Sequence, residues 1–151
     1  MTLPRLRSVL ALLAATLFLS AHSVSDARRL QAQEEEAMLV QYLEVVTPDV
    51  DETCSVLEKM HGVSFGMPDA GLGNARTAAL EGGGKIGVRA PMRSDESPVV
   101  RPYTLVEDIE AAINEAQAAG SEIAMAPMEI PGHGKFAIYI LGGIEHGLWE
   151  L

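Results

Sequence analysis

Two stretches of this chain run a strand into a glycine turn and out again. They are Thr77–Arg89 (TAALEGGGKIGVR) and Lys135–Leu151 (KFAIYILGGIEHGLWEL), about sixty residues apart. Two strand–glycine–strand hairpins at a fixed offset point to an internal duplication, and a duplicated chain is confined to folds in which two copies of one small unit share a core.

The segments before each hairpin repeat in the same order. In the first half, β-propensity predicts a strand over 40–47, carried by Leu43, Val45 and Val46. Thr47-Pro48-Asp49 stops it and caps a helix over 51–60, where Val50, Cys54, Leu57 and Met60 recur at helical spacing. His61-Gly62 closes that helix. Short strands are expected over 63–67, 74–80 and 85–89, and a polar connection over 91–98. The pattern then restarts with a strand over 101–106. Asp108 caps a helix over 109–119, and Gly120 ends it. A strand over 122–126, a loop over 127–134 and the last hairpin, 136–141 with 146–151, complete the second half. The order is βαβββ twice, an α+β pattern.

A chain of 151 residues, 48% hydrophobic, fills one compact domain or two half-domains sharing a core. The net charge of −10 argues against a nucleic-acid groove, which needs clustered Lys and Arg. The single cysteine, Cys54, excludes an internal disulfide and a cysteine-based zinc cluster, and it sits on the apolar side of its helix.

Residues 1–23 carry the pattern of a secretion signal. Arg5 and Arg7 precede a short apolar run over 9–19, and Ala21-His22-Ser23 offers small residues for cleavage. Residues 24–38 are polar and charged and read as a linker before the domain at 39–151. The expected location is therefore outside the cytoplasm. Translation from Met38 would instead leave the domain in the cytoplasm, with no stable membrane span in either case.

A duplicated βαβββ chain of this size resembles the vicinal oxygen chelate superfamily, which includes glyoxalase I, bleomycin-resistance proteins and extradiol dioxygenases. The resemblance covers residues 39–151, with modules at about 39–91 and 100–151. It rests on Tyr42-Leu43-Glu44-Val45-x₃-Asp49, on Leu57–Gly66, on Tyr103-x-Leu105-Val106-x-Asp108-Ile109, and on Gly143-x₃-Gly147-Leu148-Trp149. It implies two modules forming a curled mixed sheet around a cavity, and exchange of modules between chains makes a homodimer an expectation. It also implies that metal ligands, when present, come from the first and last strands of each module. Those positions fall on Tyr42, Gly87, Arg101 and Gly147, which do not supply the roughly three N or O ligands that a catalytic metal needs. The expectation is a metal-free member with no cofactor. A shift of alignment would bring in Gln41, Glu44, His146 or Glu150 and restore a divalent metal.

Strand parity lists what would face the cavity: Tyr42 and Glu44, Gly87 and Arg89, Arg101 and Tyr103, then Glu145, Gly147 and Trp149. The candidate ligand-binding residues are Tyr42, Glu44, Arg89, Arg101, Tyr103 and Trp149. The glycines would leave room for a ligand, the arginines could hold a carboxylate or phosphate, and the aromatic residues could wall an apolar molecule. Equally, Glu44 could pair with Arg89 or Arg101 as a structural salt bridge. His61 is expected at a helix end. His133, in Pro131-Gly132-His133-Gly134, sits in a loop that could cover the cavity mouth. The functional expectation is binding of a small organic molecule. The rivals are a glyoxalase-type lyase, isomerase or dioxygenase, using a metal or using Glu44 or His146 as base, and a sequestering protein whose acidic balance favours a cationic compound.

Overall fold

A computed structural model describes residues 38–151. The expected leader, and all of the linker before Met38, lie outside the described residues. The strands are β1 (Val40–Val46), β2 (Arg76–Ala79), β3 (Lys85–Arg89), β4 (Val99–Leu105), β5 (Glu122–Ile130), β6 (Gly134–Leu141) and β7 (Ile144–Glu150). The helices are α1 (Val50–His61) and α2 (Ile109–Ala118). Among the described residues no helix is long and apolar enough to cross a membrane.

The strands form one open, mixed sheet in the order β2-β3-β1-β4-β7-β6-β5. β1 pairs with β3 in parallel, and β4 pairs with β7 in parallel. β1 and β4 run antiparallel side by side, so the two halves meet along them. The duplication is visible in the hydrogen bonds. Thr47 N–H donates to Arg89 O after β1, and Val106 N–H donates to Trp149 O after β4. Glu44 stands opposite Gly87, as Tyr103 stands opposite Gly147.

One sheet face is covered by the helices, the other lines the cavity. Alternation in the strands divides the core accordingly. Cys54 of α1 packs with Phe65, Ala78 and Val88. Ile109 and Ile113 of α2 pack with Ala137 and Leu148. On the opposite face Tyr42, Tyr103, Ile138 and Trp149 join Leu72 and Ala75. Asp108 caps α2 as expected, its Oδ1 accepting from Ala111 N–H at 2.9 Å, and Gly62 closes α1 in a left-handed conformation. Asp49 departs from the expectation. Its side chain makes no cap bond, and its own N–H donates to Thr47 Oγ1.

Two expected segments differ. Residues 63–67 are not a strand. They run beside β2 with one ladder-like bond, Gly66 N–H to Thr77 O at 2.9 Å, while the Arg76 side chain takes the carbonyls of Phe65 and Gly66. A side chain that occupies those acceptors leaves no ladder to propagate, so the first half has three strands. The loop expected from Pro127 is instead strand as far as Ile130. β5 is an edge strand whose register with β6 shifts between Met125 and Met128, so the missing N–H of Pro127 interrupts nothing. The extra length of strand carries Met128, Glu129 and Ile130 to the cavity.

Candidate ligand cavity

The cavity has a volume of about 550 Å³, and all six candidate residues, Tyr42, Glu44, Arg89, Arg101, Tyr103 and Trp149, line it. β1 and β4 supply its floor. Their antiparallel register sets Tyr42 opposite Tyr103 and Glu44 opposite Arg101, a two-by-two grid on the line where the modules meet. β5 and β6 supply an apolar wall from Met125, Met128, Phe136 and Ile138, and the 70–73 turn closes the other side.

The charged residues form a ladder. Glu44 is buried and central. Its Oε1 accepts from Arg89 Nε at 2.6 Å, and its Oε2 accepts from Arg101 Nη1 and from the Tyr103 hydroxyl. Beyond Arg89, Glu96 forks onto Nη1 and Nη2 at 3.0 and 2.7 Å and also accepts the Met92 N–H. Beyond Arg101, Glu145 Oε2 accepts from both Nε and Nη2. The order is Glu96, Arg89, Glu44, Arg101, Glu145. Of the two readings of Glu44, pairing holds, and with both arginines at once. A charge this far from water needs such partners, because desolvation costs several kcal/mol, roughly, per ion. Burial works to lower the pKa of each arginine, but the hydrogen bonds that Arg89 donates to Glu96 and Glu44, and that Arg101 donates to Glu145, outweigh it and hold both above the ordinary arginine value.

Glu96 lies in the polar connection and carries no periodic signal, so sequence reasoning missed it. The Arg89 hydrogen bond is the main reason its carboxyl is held down to about 2 from an ordinary 4.5. A depressed folded-state pKa gives stability that is present above the unfolded value and lost as pH falls through the folded one. Ionised Glu96 therefore contributes up to about 3 kcal/mol at neutral pH, lost between about pH 4.5 and 2. Urea unfolding of the protein and of Glu96→Gln should show a stability gap at pH 7 that narrows steadily below pH 4. A gap as wide at pH 3 as at pH 7 would mean the pair is not coupled to folding.

The room expected at the two glycines is filled by the chain itself. A Cβ at Gly87 would overlap the Tyr42 hydroxyl, and one at Gly147 would overlap the Tyr103 ring. The two rings lie 5.7 Å apart between centroids, and both contact Trp149. Trp149 is fixed by its indole N–H, which donates to His133 O at 2.9 Å. The Tyr42 hydroxyl is buried with no hydrogen-bond partner among the described residues, whereas Tyr103 donates to Glu44. Burial, then the Glu44 charge, raises the pKa of both phenols.

The residues at the positions where the resemblance would place metal ligands do not fit a divalent cation. Gly87 and Gly147 offer no side-chain donor, Arg101 brings a positive charge, and Tyr42 turns its hydroxyl onto Gly87. The substitutes are dispersed. Gln41 borders a smaller pocket, His146 stacks on Tyr139 at 5.2 Å on the helix side, and Glu150 holds Lys135 and accepts the Ile109 N–H at the start of α2. Only Glu44 of that set reaches the cavity. Among the described residues no three His, Cys, Asp or Glu side chains gather into a metal site. His61 is the last residue of α1, as expected. His133 is not a free cover. Its Nε2 lies 3.1 Å from Asp69 Oδ2, so the 131–134 turn is tied to the 69–73 turn at one end of the cavity.

No protein-family model and no curated protein matches the chain. Solved structures do. The hypothetical protein BH1468 from Bacillus halodurans C-125 superposes with a TM-score of 0.62 at 15% identity, over 77% of this chain and 96% of that one. Methylmalonyl-CoA epimerase from Mycobacterium tuberculosis gives 0.57 at 15% identity, over 73% and 85%. Streptomyces coelicolor methylmalonyl-CoA epimerase in complex with 2-nitronate-propionyl-CoA gives 0.55 at 14% identity, over 74% and 95%. The fold is that of the vicinal oxygen chelate superfamily, an α+β, glyoxalase-like architecture.

Proposed function

We propose that this chain binds a small organic molecule in the cavity between its two modules, and that it does so without a catalytic metal. The observation that carries this reading is the cavity itself. It has the size of a small-molecule site, with apolar and aromatic walls and a few charged groups on its floor. The metal-free part is supported by Tyr42, Gly87, Arg101 and Gly147 standing where ligands would be. Neighbours of this fold include epimerases whose structures hold coenzyme A esters, which supports a ligand site of this kind by analogy of fold alone. The two candidate bases give little support to an enzyme. Both oxygens of Glu44 are engaged, and His146 faces away from the cavity. Export is part of the proposal and rests on the pattern of residues 1–23.

The test is metal content of the purified protein, with thermal shifts against Mn, Fe, Ni, Zn and Co and against a library of small carboxylates, amines, alcohols and aromatics. The expected result is no bound metal, no ion-specific shift, and stabilisation by some organic compounds. Ala124→Trp, which puts an indole at the cavity wall from an exposed edge-strand position, should abolish those organic shifts. One metal per chain, or strong stabilisation by one ion, overturns the metal-free part. A library that stabilises nothing overturns the ligand site.

A further inference from the structure

We infer that the cavity selects a cationic ligand, an ammonium or amidinium carried on an apolar or aromatic body, and that Glu145 is the residue that sets this preference. This inference rests on the cavity being a ligand site.

Donor and acceptor accounting at the cavity floor comes first. Arginine has five N–H groups and no acceptor. Four of the five on Arg89 are used, on Glu44, on Glu96 twice and on Ala90 O. Four of the five on Arg101 are used, on Glu145 twice, on Glu44 and on the Tyr103 oxygen. An incoming carboxylate or phosphate would find no fork to grip. It would have to displace a carboxylate already in place.

The acceptors are in surplus. The ladder holds three carboxylates against two guanidinium groups, a net charge of −1. Of the other charged residues on the wall, Arg93 is largely exposed and pairs with Asp95, while Glu129 makes no ion pair among the described residues. Glu145 is the end of the ladder that meets solvent. Its side chain is 41% exposed, against 10% or less for the other four members. Both bonds from Arg101 go to Oε2, and Oε1 accepts nothing among the described residues. A cation at Oε1 would neutralise the excess charge in a partly desolvated site, whereas an anion would double it.

The walls suit the same ligand. Tyr42, Tyr103, Phe136 and Trp149 line the cavity, and aromatic rings attract cations placed over them. Met92, Met125 and Met128 add flexible, polarisable surface that adapts to an apolar body.

The experiment uses three matched probes, phenethylamine, 3-phenylpropionate and 2-phenylethanol, with Kd measured by calorimetry on the purified protein. Phenethylamine should bind at least about tenfold more tightly than 3-phenylpropionate, with the alcohol between them. In Glu145→Gln the amine should weaken until the ratio falls to about threefold or less, while the alcohol stays unchanged. Glu145→Asp, which keeps the charge at the same hairpin position, should retain the preference, and Glu129→Gln, which removes a charge from an exposed edge-strand side chain on the same wall, should leave the ratio unchanged. Equal or tighter binding of the carboxylate overturns the inference, as does a preference that survives Glu145→Gln or one that Glu129→Gln removes. If neither charged probe binds while neutral library members do, the inference falls and the ligand site stands. If nothing in the library binds, both fall.

Discussion

Glu44→Ala is expected to cost about 3–5 kcal/mol, the largest loss of any single change in the ladder, because removing one member of a buried pair leaves uncompensated charge. Two guanidinium groups, on Arg89 of β3 and Arg101 of β4, would then face each other across β1 with their common carboxylate gone. Against an ordinary domain stability of about 5–15 kcal/mol, that is a large fraction of the whole. Glu145→Ala, at the solvent end, should cost no more than about 1 kcal/mol, since exposed pairs are worth little. Replacing the pair together, Glu44→Leu with Arg101→Met, should recover most of the loss of the single change, because an apolar pair carries no desolvation penalty. Urea unfolding of the four proteins decides this. A Glu44→Ala loss no larger than that of Glu145→Ala would show that the ladder is solvated in solution and does not staple the modules.

Gly147→Ala should be more damaging than Gly87→Ala, at about 3 kcal/mol or more, because overpacking a closed core forces backbone or ring to move. The added methyl would meet Tyr103 at Cδ1 and Cγ, near the root of a buried ring that cannot swing aside. Gly87→Ala should cost less, and its repair differs. The atom met first there is the Tyr42 hydroxyl, so Tyr42→Phe should recover part of the Gly87→Ala loss. Tyr42→Phe alone should be neutral or slightly stabilising, since that hydroxyl is buried without a partner. Tyr103→Phe should not repair Gly147→Ala, and it removes the bond to Glu44 besides. Melting temperatures of the two glycine variants, each with and without its phenylalanine partner, test the set. Equal rescue in both modules would contradict the geometry.

Much of the fold was legible because its signals are local. The period-2 alternation of β1, β4 and β7, the helix caps at Asp108 and Gly62, and the repeated glycine hairpins each lie within a few residues of the chain. The errors came where a distant group intervened. Residues 63–67 read as a strand, but the Arg76 side chain claims two of their carbonyls. Pro127 reads as a break, but β5 lies at the sheet edge, where a missing N–H is harmless.

The candidate site divides along the same line. Alternation alone put Tyr42, Glu44, Arg89, Arg101, Tyr103 and Trp149 on one face, because neighbouring side chains in a strand must point opposite ways. Alternation cannot say which side chains from different strands meet. The β1–β4 register set Glu44 against Arg101, and the chain's path between β3 and β4 brought Glu96 onto Arg89. Those two non-local events turned two arginines that read as anion binders into the interior of a closed salt ladder, and left the surplus of negative charge at Glu145. Composition and periodicity are properties of neighbours along the chain, and they determined the fold and the face. Charge pairing is a property of neighbours in space, and only the assembled sheet decided it.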